Sequence, residues 1–189
     1  MDYTFGYGSI VNANTWERPV DYCAVKLKGW KRSWRHVVQT PAGSISALTI
    51  EPCEDRDIDG LLVETELSDR EILNVREIGY DIVPLDLSGF EIADGEREIK
   101  NEMKIHAYRS FDACNQWASE DAPLLQSYLD CVLQGYYRFF CEAGVRDFIA
   151  TTDCWGAPIK RDREDPVYPR AVSLSPAERD LFDALIRNL

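Results

Sequence analysis

A chain of 189 residues, 45% of them hydrophobic, can bury one good core, and a single domain is expected. Its 21 basic against 33 acidic residues leave a net charge of −12, which repels a phosphate backbone; a small-molecule or protein partner is expected and nucleic acid is not. No apolar run approaches the roughly 18 residues that cross a bilayer, and MDYTFGYGSI lacks the basic-then-apolar pattern of a signal peptide, so no membrane association and a cytoplasmic location are expected.

The first half reads as strands over residues 3 to 7, 22 to 28, 45 to 51, 59 to 66, 80 to 87 and 103 to 109, with turns at Thr40-Pro41-Ala42-Gly43 and Asp94-Gly95. Strands in series with few helices between them predict a curled sheet or barrel. One helix interrupts them: Ser68-Asp69-Arg70-Glu71 has the form of a capping box, Ile72, Leu73 and Val75 follow, and the helix should end near Gly79. From Pro123 the period changes. Leu124, Leu125, Tyr128, Leu129, Val132, Leu133, Tyr136, Tyr137 and Phe140 recur at three- and four-residue steps, predicting a long amphipathic helix stopped by Gly144, with its aromatic stripe used for packing. Residues 150 to 170, with three prolines and a charge run, read as a surface loop. A last helix starts at Ser175-Pro176-Ala177-Glu178 and turns Leu181, Phe182, Leu185 and Ile186 inward.

Six cysteines without paired short spacings read as ordinary reduced thiols, and two histidines, His36 and His106, leave little material for a metal site or a Ser-His-Asp triad; no metal is expected. Two stretches carry chemistry. In YTFGYGSIV, successive backbone N–H groups of the Gly-Tyr-Gly-Ser turn can form a nest for a carboxylate or phosphate, and Ser9 adds a hydroxyl; a plain glycine-containing strand end is the alternative. In LNVREIGYDIVPL, a helix carrying Arg76 and Glu77 runs through Gly79 into a strand, a corner that can aim a carboxylate into a barrel mouth; a surface glutamate beside Arg76 is the alternative.

FGYGSI resembles the Tyr-Gly-Ser signature of gamma-glutamylcyclotransferase-like proteins, LNVREIGY resembles the Arg-Glu-x-Gly-Tyr segment of their ChaC-type, glutathione-specific branch, and LKGWKRSW is similar to a Gly-aromatic-Arg strand between the two. The order holds from residue 3 to about 109. The resemblance implies an α+β fold, a small mixed β-barrel over 1–115 with a helical C-terminal extension over 116–189. It also implies cofactor-free cleavage of gamma-glutamyl compounds: the substrate's α-amine attacks its own γ-carbonyl and releases 5-oxoproline. Tyr7, Gly8, Ser9 and Ile10 would hold the α-carboxylate through their backbone, and Glu77 would be the catalytic base, shielded by apolar neighbours so that its pKa rises. Ile10 stands where the family has Leu or Asn, and only Pro41-Ala42-Gly43 remains of a longer pattern after Trp34. The choice among glutathione, a gamma-glutamyl amino acid and a gamma-glutamylamine stays open, as does the oligomeric state.

Further candidates are Tyr80 and Tyr108 as hydrogen-bond donors to substrate. Arg32, in the basic cluster with Lys26, Lys28, Lys31 and Arg35, is a candidate for a second substrate carboxylate, with a solvated strand edge as the alternative. Trp117 and Trp155 are candidates to border a cleft. Two readings outside the enzyme class are a non-catalytic small-anion binding module of the same fold and a protein-interaction domain, the latter requiring an exposed apolar patch on residues 124 to 140.

Overall fold

A computed structural model of the chain describes residues 1–16, 18–93, 99–187 and 189, so the expected Asp94-Gly95 turn lies outside the described residues. Its sheet is built around β1 (Asp2–Gly6), which pairs antiparallel with β3 (Gly43–Glu64) and parallel with β6 (Lys104–Ser110). β2 (Tyr22–Thr40) and β3 form one long hairpin closed at the expected Thr40–Gly43 turn, where Thr40 Oγ1 donates to Gly43 O at 2.7 Å. The two strands expected at 45–51 and 59–66 are thus a single strand. The polar stretch between them stays extended because it pairs with β2 across a register shift near Lys28 and Trp30.

β4 (Tyr80–Leu85) lies beyond β6 at one edge and β5 (Phe90–Ile92) beyond β2 at the other, giving the order β4-β6-β1-β3-β2-β5. Among the described residues these edges do not pair with each other, so the α+β class holds while the sheet is open along this path, in place of the expected closed barrel. The physical reason lies in the edges: β5 has three residues, and β4 carries Pro84, which lacks the N–H that a further pairing needs.

The first helix, α1 (Leu67–Arg76), is capped two residues earlier than expected. Glu66 and Asp69 form the capping box, with Glu66 N donating to Asp69 Oδ2 at 2.9 Å, because Asp69 is also held by Arg18 Nε at 2.9 Å. Only Leu73 of its expected apolar face is buried; Ile72 and Val75 are exposed. α2 (Gln126–Ala150) begins after a two-residue strand, β7 (Leu124–Leu125), and does not stop at Gly144. It breaks at Cys141, whose φ of 56° is non-helical, and continues to Ala150. Of the 124–140 stretch that a docking function would need to expose, residues 124–136 are buried throughout, while Tyr137 is exposed and Phe139 and Phe140 are half-buried.

The region after 150 is more than a surface loop. It adds β8 (Thr152–Asp153) beside β2 and β9 (Ile159–Lys160) beside β7, and it buries Asp162, whose carboxylate accepts from Ser127 N at 2.8 Å. α3 (Pro176–Ile186) starts at the expected box, with Ser175 N donating to Glu178 Oε2 at 2.7 Å, and buries Phe182 and Ile186. The six cysteines are free thiols. No helix among the described residues is long and apolar enough to cross a membrane.

α2 positions the N-terminal motif directly. Asn12, just past a 3-10 turn at Ser9–Val11, donates from Nδ2 to Cys131 O at 2.8 Å, and the Tyr136 hydroxyl lies 2.9 Å from Tyr7 O. Contact is closest at Gly135, where a Cβ would sit 2.9 Å from Asn12 N and 3.0 Å from Val11 C. Both are backbone atoms that cannot swing aside, so Gly135→Ala is expected to cost about 1–3 kcal/mol in denaturant unfolding, despite alanine's better helix propensity. A neutral or stabilising result would show that the turn yields freely to the helix.

Candidate active site

The turn after β1 and the end of α1 meet in a small cavity of about 20 Å³, room for one or two waters. It is lined by Tyr7, Gly8, Ser9, Ile10, Leu48, Glu77, Tyr80, Tyr108 and Tyr128. The structure therefore brings together seven of the ten candidates named from the sequence, leaving out Arg32, Trp117 and Trp155. At the turn, Val11 N donates to Gly8 O at 3.0 Å and Asn12 N to Ser9 O at 3.1 Å, which leaves the N–H groups of Ser9 and Ile10 in the first turn without intrahelical acceptors. Gly8 also makes room: a Cβ there would lie 2.9 Å from the Tyr128 hydroxyl. Tyr128, expected only as helix packing, belongs to the site.

Glu77 is the C-cap of α1 and its side chain is 14% exposed. Burial pushes its carboxyl pKa up, while the guanidinium groups of Arg76 and Arg170 pull it down; the net direction is upward. Arg76 Nε lies 3.0 Å from Glu77 Oε1, Nη2 donates to Ser9 Oγ at 2.9 Å, and Nη1 donates to Thr15 Oγ1 at 3.2 Å and Thr15 O at 3.3 Å. One side chain thus ties Glu77 to the backbone turn. The expected apolar shield is largely phenolic, made by Tyr7, Tyr80, Tyr108 and Tyr128. Burial holds the first, second and fourth well above the usual phenol range and pushes Tyr108 to about 12, so all four stay protonated near neutrality. Tyr80 donates to Leu48 O at 2.6 Å, Tyr108 to Asn74 Oδ1 at 2.8 Å, and Tyr7 to Tyr108 O.

The α1–β4 corner depends on Gly79, at φ +87°, where a Cβ would meet His36 Cε1 at 2.9 Å. His36 stacks on Tyr80 with centroids 3.6 Å apart, and its ring nitrogens lie 3.2 Å from Ile78 O and 2.9 Å from Ser110 Oγ. A second, larger cavity of about 690 Å³ opens from Ser9, Glu77, Tyr80 and Tyr128 along β2 and β3, reaching Val38, Ile45, Ala47, Phe111, Tyr168 and Arg170. Among the described residues, no three of His, Cys, Asp and Glu converge as a metal site.

Arg32 is the correction. It lies outside both cavities, wholly buried, and its guanidinium donates to Tyr136 Oη at 2.6 Å and Asp59 O at 2.8 Å while packing 4.9 Å from the Phe148 ring centroid. It is a structural post between β2, β3 and α2. Its expected companions are paired on the surface: Lys26 with Asp59 at 2.9 Å, Lys28 with Glu91, Lys31 with Asp153 at 3.1 Å and Arg35 with Glu51 at 3.3 Å. Trp155 closes the core by packing 5.3 Å from Trp34, and exposed Trp117 lies under Arg35 at 4.1 Å; neither lines these cavities. Sequence reasoning missed Leu48, Tyr168 and Arg170 altogether, which lie on a strand and a proline-rich segment with no motif to mark them.

No family model and no curated protein matches the sequence. Solved structures do match the fold. A protein described as a gamma-glutamyl cyclotransferase superposes with a TM-score of 0.58 at 16% identity, covering 99% of this chain and 98% of its own. An uncharacterized human protein gives 0.60 at 14%, covering 96% and 97%. A yeast gamma-glutamyl cyclotransferase specific to glutathione gives 0.50 at 12%, covering 98% and 95%. At these identities the likeness establishes a shared mixed α+β fold.

Burial lowers the His36 pKa from 6.5 to about 4. The unfolded chain takes up its proton as pH falls through 6.5 while the folded one stays neutral, so this contribution to stability is lost as pH drops from about 6.5 toward 4 and is level below. In chemical denaturation across that range, the wild type is expected to lose stability more steeply than His36→Gln. Parallel pH curves would remove His36 as the cause.

Proposed function

We propose that this chain is a gamma-glutamylcyclotransferase acting on glutathione or a related gamma-glutamyl compound. The observation that carries the reading is that one cavity holds both Glu77 and the Gly8–Ile10 backbone turn, so a base and an anion nest face the same small volume. The fold likeness supports it.

In this reading the substrate's α-carboxylate rests on the N–H groups of the turn, and its α-ammonium lies against Glu77. Glu77 takes a proton from that ammonium, and the freed amine attacks the γ-carbonyl carbon. The new C–N bond closes a five-membered lactam and the original γ-amide C–N bond breaks; Glu77 returns the first proton to the departing nitrogen and relays to it the second, which the attacking nitrogen sheds on becoming the lactam N–H. Atoms balance as 5-oxoproline plus the released amine in its ammonium form. Because nucleophile and electrophile share one molecule, the site has mainly to hold a folded conformer, an orientation effect worth up to about 7–11 kcal/mol. The raised Glu77 pKa suits the task, since a stronger base deprotonates an ammonium with less penalty.

Purified protein given glutathione, gamma-glutamyl-alanine and a gamma-glutamylamine should yield 5-oxoproline from at least one of them. Glu77→Gln should lower that rate by about 10²–10⁴-fold, the usual worth of a general base. A folded wild type silent on all three would leave the small-anion binding module standing in its place.

The sign of the pH dependence follows from the electrostatics. Glu77 must be ionised to act, so kcat/KM falls as pH drops through its pKa, at a pH above the 4.5 of an ordinary glutamate. Arg76 holds that pKa down, so Arg76→Gln is expected to move the acidic limb to higher pH as well as lowering the rate. A limb that stays in place or moves down would separate Glu77 from the titration.

A further inference from the structure

We infer that Arg170 binds a carboxylate on the leaving-group side of the substrate, so that the site selects gamma-glutamyl amino acids or peptides over neutral gamma-glutamylamines; this rests on the cyclotransferase reading. The larger cavity contains two arginines, Arg76 and Arg170. Arg76 is committed to Glu77, Ser9 and Thr15. Nearby Arg18, on the adjoining groove of about 630 Å³, is committed to Asp69. Arg170 lines both spaces and forms no ion pair within 4 Å among the described residues, though its charge reaches Glu77.

It is nonetheless held in place. Its Nε donates to the Tyr168 hydroxyl at 3.3 Å and its guanidinium carbon lies 5.3 Å from that ring's centroid. Tyr168 is buried and anchored in turn, packing edge-on against Tyr128 at 5.0 Å, with its N–H donating to Ser127 Oγ at 3.3 Å. A guanidinium fixed through one edge leaves its other N–H groups free for the fork geometry that carboxylates fit. Apart from Glu77 the wall away from the two arginines is uncharged, with Val38, Ile45, Ala47 and Phe111 as its apolar part. On a chain of net charge −12, a guanidinium without an ion pair at the mouth also gives an anionic substrate a local attraction.

The test compares gamma-glutamyl-alanine with its neutral C-terminal amide, by 5-oxoproline release on wild type and by calorimetric binding to Glu77→Gln. Wild type should favour the acid by at least tenfold in kcat/KM, expressed mainly in KM. Arg170→Gln should lower that preference at least tenfold and Arg170→Lys should restore part of it. An acid-to-amide ratio within twofold of unity in wild type, or unchanged in a folded Arg170→Gln, overturns the assignment. If neither compound, nor glutathione, nor a gamma-glutamylamine is turned over but the acid binds more tightly than the amide, the cyclotransferase reading fails while Arg170's role stands; binding of neither overturns both.

Discussion

A carboxylate at the carboxyl end of a helix faces the negative pole of the backbone dipole, and Glu77 is set there and buried as well. Two unfavourable terms act on one group, and Arg76 opposes both. That guanidinium is itself only 6% exposed, so neither charge would be tolerated in its place without the other. Because Arg76 also grips Ser9 and Thr15, the demand for charge compensation at the helix end pins the N-terminal turn against α1. The cavity geometry is a product of this arrangement.

Around that pair the protein uses phenols. Tyrosine supplies apolar ring area to desolvate Glu77 and keeps a hydroxyl that can be satisfied locally, as Tyr80 is at Leu48 O and Tyr108 at Asn74. His36 performs a related service under the corner, stacking on Tyr80 while bridging Ile78 O and Ser110. Purely aliphatic walls would raise the carboxyl pKa as well, but would leave the strand carbonyls that border the cavity without these partners.

Much of this was legible from residue order. Glycine and serine after an N-terminal strand, and Arg-Glu before Gly-Tyr, name the two halves of the cavity because each is a local device: a turn, and a helix end. What escaped depends on distance in the chain. Tyr128 has the periodic spacing of a core residue and is one, yet the same face reaches Gly8; periodicity reports burial without saying against what. Arg32 looked like a strand-edge cation because its partners, Tyr136 and Thr151, lie more than a hundred residues away. The open sheet was hidden for a similar reason, since closure depends on edges that local propensity does not describe. The capping box failed by two residues because Arg18 selects Asp69 from outside the helix.

β1 carries a consequence for how the molecule comes into being. Its partners are β3 and β6, and the turn that follows it is clasped by Cys131 and Tyr136 from α2. The β2–β3 hairpin, by contrast, closes through a turn of adjacent residues and pays little loop entropy. Contacts of long sequence separation are slow to gather, so the hairpin is the natural early structure and the cavity a late one. In the order of synthesis the Gly-Tyr-Gly-Ser segment precedes β3, β6 and α2, and it can be used only after all three have been made.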